Sequence, residues 1–419
     1  MTYRPFARLL SRSYFPRRRW DAALFILGAF LFLLPTDLSV VIFGFFWVVG
    51  VYLLLFRTRK SFGHLDEKYV LAAALFGFSG LAINIVNGSV IEDVRGASYP
   101  LYYLFFLPIA VGVVLVRDPL RHFVIGVRAG LVFVGVWALA DLATGGFRFG
   151  MGSNAANAAF AIAFLAVVSR LQIKDAPKLF ADRRVFFYLG LVPVLASQTR
   201  AVLPVFVIGI GLDLFNLVRR RSITWRFASR YTAVVWVTLL TFALASGWTI
   251  LPQYIDRIQY TANEFADFFN AVDSPSSPGI ILRVTQWEAA LELIGENPLL
   301  GRGGAELGEA IIGHSPPQFH EQFANFTFVH NFLLDETLQR GLVGLALALG
   351  FFGFSFSRIY RRGDAAMKEN VALLLVLSIS FGMLHYLLVI DRHVALYAIY
   401  FALLTTANHG WSPPYRTTL

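Results

Sequence analysis

Residues 38–56 read LSVVIFGFFWVVGVYLLLF, nineteen positions without a charge. A helix of that length rises about 28 Å, close to the ~30 Å hydrocarbon core of a bilayer. Runs of the same kind recur along the chain, at roughly 21–35, 38–56, 68–87, 99–117, 119–142, 154–171, 185–198, 200–217, 231–251, 340–357, 369–388 and 392–407. With 57% hydrophobic and only 15% charged residues among 419, the composition is that of an all-α polytopic membrane protein with about twelve spans. The first 20 residues carry six arginines, and the apolar run after them leads straight into another, so no cleavable leader is expected. With no cysteine, disulfides, thiolate metal sites and a cysteine nucleophile are excluded.

Charge placement tests the span count. With the N-terminus in the cytoplasm and the spans alternating, 27 of the 36 Lys and Arg residues fall on the cytoplasmic side and 8 outside, with Arg128 inside a span. That bias follows the positive-inside pattern and places both termini in the cytoplasm. It also accounts for the net charge of +10 without a nucleic-acid partner. All five lysines fall inside, so the outer basic residues are all arginine: Arg95, Arg148, Arg200, Arg257, Arg283, Arg302, Arg340 and Arg392. No soluble domain flanks the spans. The chain reads as one membrane domain, 1–419, with a large outer loop at 252–339 between spans nine and ten.

That loop has helical periodicity. Tyr254, Ile258, Phe265 and Phe269 form one stripe. After the break DSPSSPG at 273–279, Ile281, Val284, Trp287, Leu291 and Ile294 form another, with Arg283, Glu288 and Glu292 off it. Amphipathic helices lying along the outer membrane surface are expected. His330 immediately precedes the next span, where it reads either as an interface residue or as a base. Arg200 opens an apolar run, either snorkelling to water or serving a site, and Arg283 reads equally as a solvated face residue. His314 and His320 read as solvated loop residues, His385 and His393 as interface residues of the last outer turn. No Walker loop, GxSxG or HExxH spacing occurs, so no metal or other cofactor is expected.

The stretch HNFLLDETLQRGLVG, residues 330–344, resembles the signature of the bacterial O-antigen ligase and polymerase-type glycosyltransferases. His330, Asn331, Gly341 and Gly344 match in order and spacing. SQTRAVLPVFVIG at 197–209 is similar to the family's Thr-Arg span start. RVTQWEAALELIGENPLLGRG at 283–303 is similar to its Arg-x-x-x-Trp segment and following Pro-Leu-x-Gly turn. The resemblance covers about 185–350. It departs where Gln339 replaces a frequent glutamate and where AVLP follows Thr199-Arg200.

The resemblance implies a GT-C-like fold in the inner membrane of a Gram-negative bacterium. It implies transfer of a glycan from an undecaprenyl-diphosphate carrier to lipid A-core on the periplasmic face. Arg200 and Arg283 are the expected stabilisers of the leaving diphosphate, with Arg302 third, in a reaction without metal. His330 is the expected general base, its ordinary pKa near 6.5 suiting proton removal at neutral pH. Asn331, Arg302 and Trp287 are the expected substrate-binding residues. A repeat-unit or exopolysaccharide polymerase uses the same chemistry, and Arg200 and Gly211 show a spacing found in some polymerases. A transporter or flippase is the alternative of another class, against which stand the lack of an inverted repeat and the size of the outer loop. The central expectation is that Arg200, Arg283 and His330 converge in space.

Overall fold

A computed structural model describes residues 20–34, 38–56, 65–88, 94–113, 116, 118–144, 146, 148–174, 176–219, 255–256, 259–260, 262–263, 266, 279–304, 307–324, 328–387 and 390–407. Those residues form helices and no strand. In chain order the α-helices are α1 Trp20–Leu31, α2 Leu38–Phe56, α3 Glu67–Val86, α4 Val94–Phe105, α5 Leu107–Gly112, α6 Pro119–Ala143, α7 Ala155–Ser169, α8 Arg183–Ser197 and α9 Leu203–Arg219. The second group is α10 Gly279–Glu296, α11 Leu307–Gly313, α12 His320–Phe323, α13 Phe332–Arg362, α14 Ala365–Gly382 and α15 Asp391–Ala407. The span expected at 231–251 and the stripe of Tyr254, Ile258, Phe265 and Phe269 lie outside the described residues.

Among the described residues five helices, α2, α3, α6, α13 and α14, are long and apolar enough to cross a membrane. The run expected at 99–117 is divided, because the chain turns at Phe106 between α4 and α5. The run expected to begin at 200 starts with a short 3-10 turn, Arg200–Val202, before α9. Pro204 then occupies the first turn of α9, where a missing N–H costs nothing.

Helix starts are set by short acceptors. Asp66, Asn154, Asp182 and Asp364 each take a first-turn N–H of α3, α7, α8 and α14. The alanine-rich α7 is buried on every side, which suits a helix apolar all round, and the other helices pack about it. Glycine permits the tightest crossing: a Cβ on Gly50 of α2 would meet the Pro108 carbonyl before α5 closes, and one on Gly112 would meet that of Phe46.

One end of the bundle is fastened by ions. Arg170 pairs with Asp213 of α9 at 2.9 Å and with Glu369 of α14, and Arg184 reaches Asp213 at 3.1 Å. Asp66 takes Arg358 and, at 2.5 Å, Arg362 from the C-terminal end of α13. Arg128, inside α6, donates to the carbonyls of Ser169, Leu171 and Phe180 at the end of α7.

The other end of α13 is broken. Gly341 adopts φ 68° and ψ −174°, which interrupts the helix nine residues after its start. A break there frees the carbonyls of Leu338 and Gln339 and the N–H groups of Leu342 and Val343. The turn at 298–303 takes all four. Arg302 N–H donates to Leu338 O at 2.9 Å and Gly303 N–H to Gln339 O at 2.9 Å, while Leu342 N–H donates to Pro298 O at 2.8 Å and Val343 N–H to Leu299 O at 3.2 Å. The Asn87 amide at the end of α3 adds bonds to Leu300 O at 2.7 Å and Gln339 O at 3.3 Å. Each such group left bare away from water costs about 1–3 kcal/mol, so break and turn require one another. The approach is backbone to backbone. A Cβ on Gly301 would lie 2.6 Å from Arg340 N, and one on Gly341 would fall onto the Leu299 carbonyl.

Gly341→Ala should therefore cost at least about 2 kcal/mol, since it adds a clash to a positive φ. Gly350→Ala, a helical site with no atom within 4 Å of the added Cβ, should be neutral or stabilising by up to ~1 kcal/mol. Thermal unfolding of the detergent-extracted variants checks both.

Candidate active site

Helix α10 is held by a small core of its own. Ala289, Ala290 and Leu293 pack with Leu307, Ile311, Phe323, Val329 and Leu338. Trp287 and Ile294 of the expected stripe pack against this core, and Leu291 turns outward at 57% exposed. The two alanines let α10 approach α13 closely.

This core delivers α10 to the loop before α13. Trp287 donates its indole N–H to Val329 O at 3.0 Å. Arg283 stands one helical turn earlier, so it shares a face with Trp287 and is carried with it. On the opposite side of the loop, Asp335 is fully buried and takes Val329 N–H on Oδ1 at 2.7 Å and Asn331 N–H on Oδ2 at 3.2 Å. The Asn331 side-chain oxygen caps α13, accepting from Leu333 and Leu334 N–H at 3.0 and 3.3 Å. Between these anchors His330 adopts φ 57°, a left-handed conformation that costs a non-glycine residue about 1–3 kcal/mol and persists only where the surroundings impose it.

His330 faces His385, with ring centroids 6.1 Å apart and planes nearly perpendicular. His385 stacks on Phe381 at 4.5 Å. Burial, followed by the positive charge of Arg283, lowers the pKa of His330 to about 4. Burial lowers His385 to about 3, with Arg283, His330 and Arg148 adding to it. The site at neutral pH is therefore two uncharged imidazoles within reach of the positive charge of Arg283. Arg148 Nε donates to Ser197 O at 3.4 Å, and Phe149 N–H to Ala196 O at 3.1 Å. These bonds tie the Arg148 segment to the end of α8, three residues before Arg200. Arg200 itself is exposed, and its turn packs on α14 and α7.

The structure thus couples Arg283 and His330, and Trp287 and Asn331 bind the same loop. Arg302 is engaged elsewhere, its Nη1 on Glu296 Oε2 at 3.0 Å, with His314 Nε2 on the same carboxylate at 3.2 Å. His320 contacts Ser315 O at 2.8 Å. His393, expected at an interface, is fully buried against Phe160 and Phe381. Arg340, counted with the outer charges, is also buried. It pairs with Glu336 at 2.7 Å and lies over the Tyr99 ring at 4.4 Å, and Tyr99 donates to Glu336 at 2.5 Å. Sequence reading missed Arg148, His385 and Asp335 as site residues. Asp335 lies within the signature stretch of His330 itself, but no motif joins Arg148 or His385 to it. No group of three or more His, Asp or Glu able to hold a metal occurs among the described residues.

Residues 185–349 match a family model described as O-antigen ligase. That segment is similar to the O-antigen ligase family. The matched segment contains Arg200, Arg283, Trp287, His330, Asn331 and both halves of the interlock at Gly301 and Gly341. The family's activity is of the ligase or polymerase type, acting on a lipid-linked glycan and a lipid acceptor. No curated protein matches the chain.

The lowered proton affinities of the two histidines oppose folding at acid pH. Between about pH 6.5 and 4 the unfolded chain binds protons at positions 330 and 385 that the folded protein does not, so stability falls as pH drops through that window. Thermal midpoints measured across it should decline, and the decline should be shallower in the His330→Gln, His385→Gln double variant.

Proposed function

We propose that the protein is an O-antigen ligase. It transfers a glycan from undecaprenyl diphosphate to a hydroxyl of lipid A-core in the Gram-negative inner membrane. The observation that carries this reading is the coupling of Arg283 and His330 through Trp287 and Val329 inside the family segment. His330 takes the acceptor hydroxyl proton, the acceptor oxygen bonds to the anomeric carbon, and the bond from that carbon to the diphosphate breaks with its electron pair leaving on undecaprenyl diphosphate. One displacement inverts the sugar carbon. Arg283 and Arg200 stabilise the departing diphosphate, with Arg148 beside them, so the positive charge comes from side chains and no metal is required. Trp287, Asn331 and Arg302 serve substrate binding, the first two through the loop they hold. A bound diphosphate offsets the charge of Arg283 and lifts the proton affinity of His330, so the base strengthens when the donor is present.

The topology that goes with this reading is a single GT-C-like membrane domain over 1–419 with twelve spans, both termini cytoplasmic and 252–339 in the periplasm. It is supported by the 27-to-8 distribution of basic residues. It is supported too by the placing of His330 before one end of α13 and of the Arg358 and Arg362 pairs with Asp66 at the other.

A gel of lipopolysaccharide from a deletion strain should show core without polymer, restored by the wild-type gene and not by His330→Ala. Arg283→Lys keeps the charge and loses the two-donor fork, and should slow transfer by about a hundredfold. Core bearing a single repeat unit would instead identify a polymerase, and an unchanged ladder would refute the lipopolysaccharide assignment.

A further inference from the structure

We propose that Asp335 is a positioning residue for His330, acting on the peptide groups either side of the imidazole and not on the ring. This rests on His330 being the base.

The direction of a side chain is set by the N, Cα and C atoms of its own residue. Both peptide neighbours of His330 end on one carboxylate, Val329 N–H on Oδ1 at 2.7 Å and Asn331 N–H on Oδ2 at 3.2 Å. Trp287 holds the Val329 carbonyl from the other side at 3.0 Å. His330 is thereby fixed at φ 57°, a conformation a histidine does not keep by preference.

Three features separate this from ordinary helix capping. The first-turn donors of α13 at Leu333 and Leu334 are already taken by Asn331, so Asp335 is not the cap. The two N–H groups it accepts lie before the helix and flank one residue. And the carboxylate is wholly buried, where a leucine would fill the space at no desolvation cost. A buried acid kept for the sake of two loop N–H groups makes sense where the residue between them must point one way. Its neighbour Glu336 serves a different purpose, closing on Arg340 and Tyr99.

The test uses the full chain in nanodiscs, with a polyprenyl-diphosphate-linked repeat unit as donor and lipid A-core as acceptor. Single-turnover transfer rate and donor affinity are measured separately. Asp335→Ala should slow transfer by about a hundredfold, the scale expected for a reactive group displaced by about 1 Å, with donor affinity unchanged. Asp335→Asn keeps one acceptor oxygen but sets an amide against the other N–H, and should fall between alanine and wild type. It carries the test if the alanine variant does not yield a monodisperse protein. Asp364→Ala removes the cap at the far end of α14 and should leave the rate at its wild-type value. A wild-type rate in a folded Asp335 variant, or a fall in rate matched by a fall in donor affinity, overturns the proposal while His330→Ala remains inactive. Wild-type transfer by His330→Ala overturns the base assignment itself.

Discussion

Two missing hydrogen bonds in α13 organise the His330 end of this protein. At Gly341 the helix gives up the bonds from Leu342 and Val343 to Leu338 and Gln339, and the turn at 298–303 supplies a partner to each of the four groups. A second chain segment is thereby spliced into a helix. Leu342–Arg362 remains as a continuous stretch that rises about 30 Å, the thickness of a bilayer core. The nine residues before the break are set apart as a short, mostly buried element that packs against α10 through Leu338. An uninterrupted helix would leave the turn without partners, and with it the end of α10.

The site follows from that splice. Because 298–303 is fixed to α13, the helix that precedes it is fixed too, and Arg283 and Trp287 come to the loop at 328–331. Side chains then work mostly on backbone: Trp287 on a carbonyl, Asp335 on two N–H groups, Asn331 on two more. The product is a histidine held in an uncommon conformation beside an arginine and a second histidine.

Much of this was legible in the residues. Apolar runs gave the helices because length and composition suffice for membrane segments, and α10 was read from its period. Whether its stripe meets protein or lipid was not, since apolar residues at helical spacing look alike in both settings. In this chain Trp287 and Ile294 pack inward beside Ala289, Ala290 and Leu293, and Leu291 turns outward. The signature glycines were visible as positions, yet their reason was not. Gly301 and Gly341 are forty residues apart and matter only to one another's backbone. Arg340 looked like an outer charge because the sequence does not show Glu336 and Tyr99 closing around it. His385 and Arg148 come from distant segments and carry no local pattern.

The loop between the interlock and the histidine is tied at its base. Gly303 is bonded to Gln339 at one end, and Val329 is bonded to Asp335 and Trp287 at the other. What lies between, with Leu307, Ile311 and Phe323 turned back onto α10, is an excursion whose ends do not move when its length changes. Doubling a loop costs only about 0.6 kcal/mol in closure entropy. Leu307, Ile311 and Phe323 must stay apolar to hold α10, while the exposed positions between them carry no such constraint. Variation in sequence and length is thereby channelled to the surface of the excursion, away from the contacts that place Trp287.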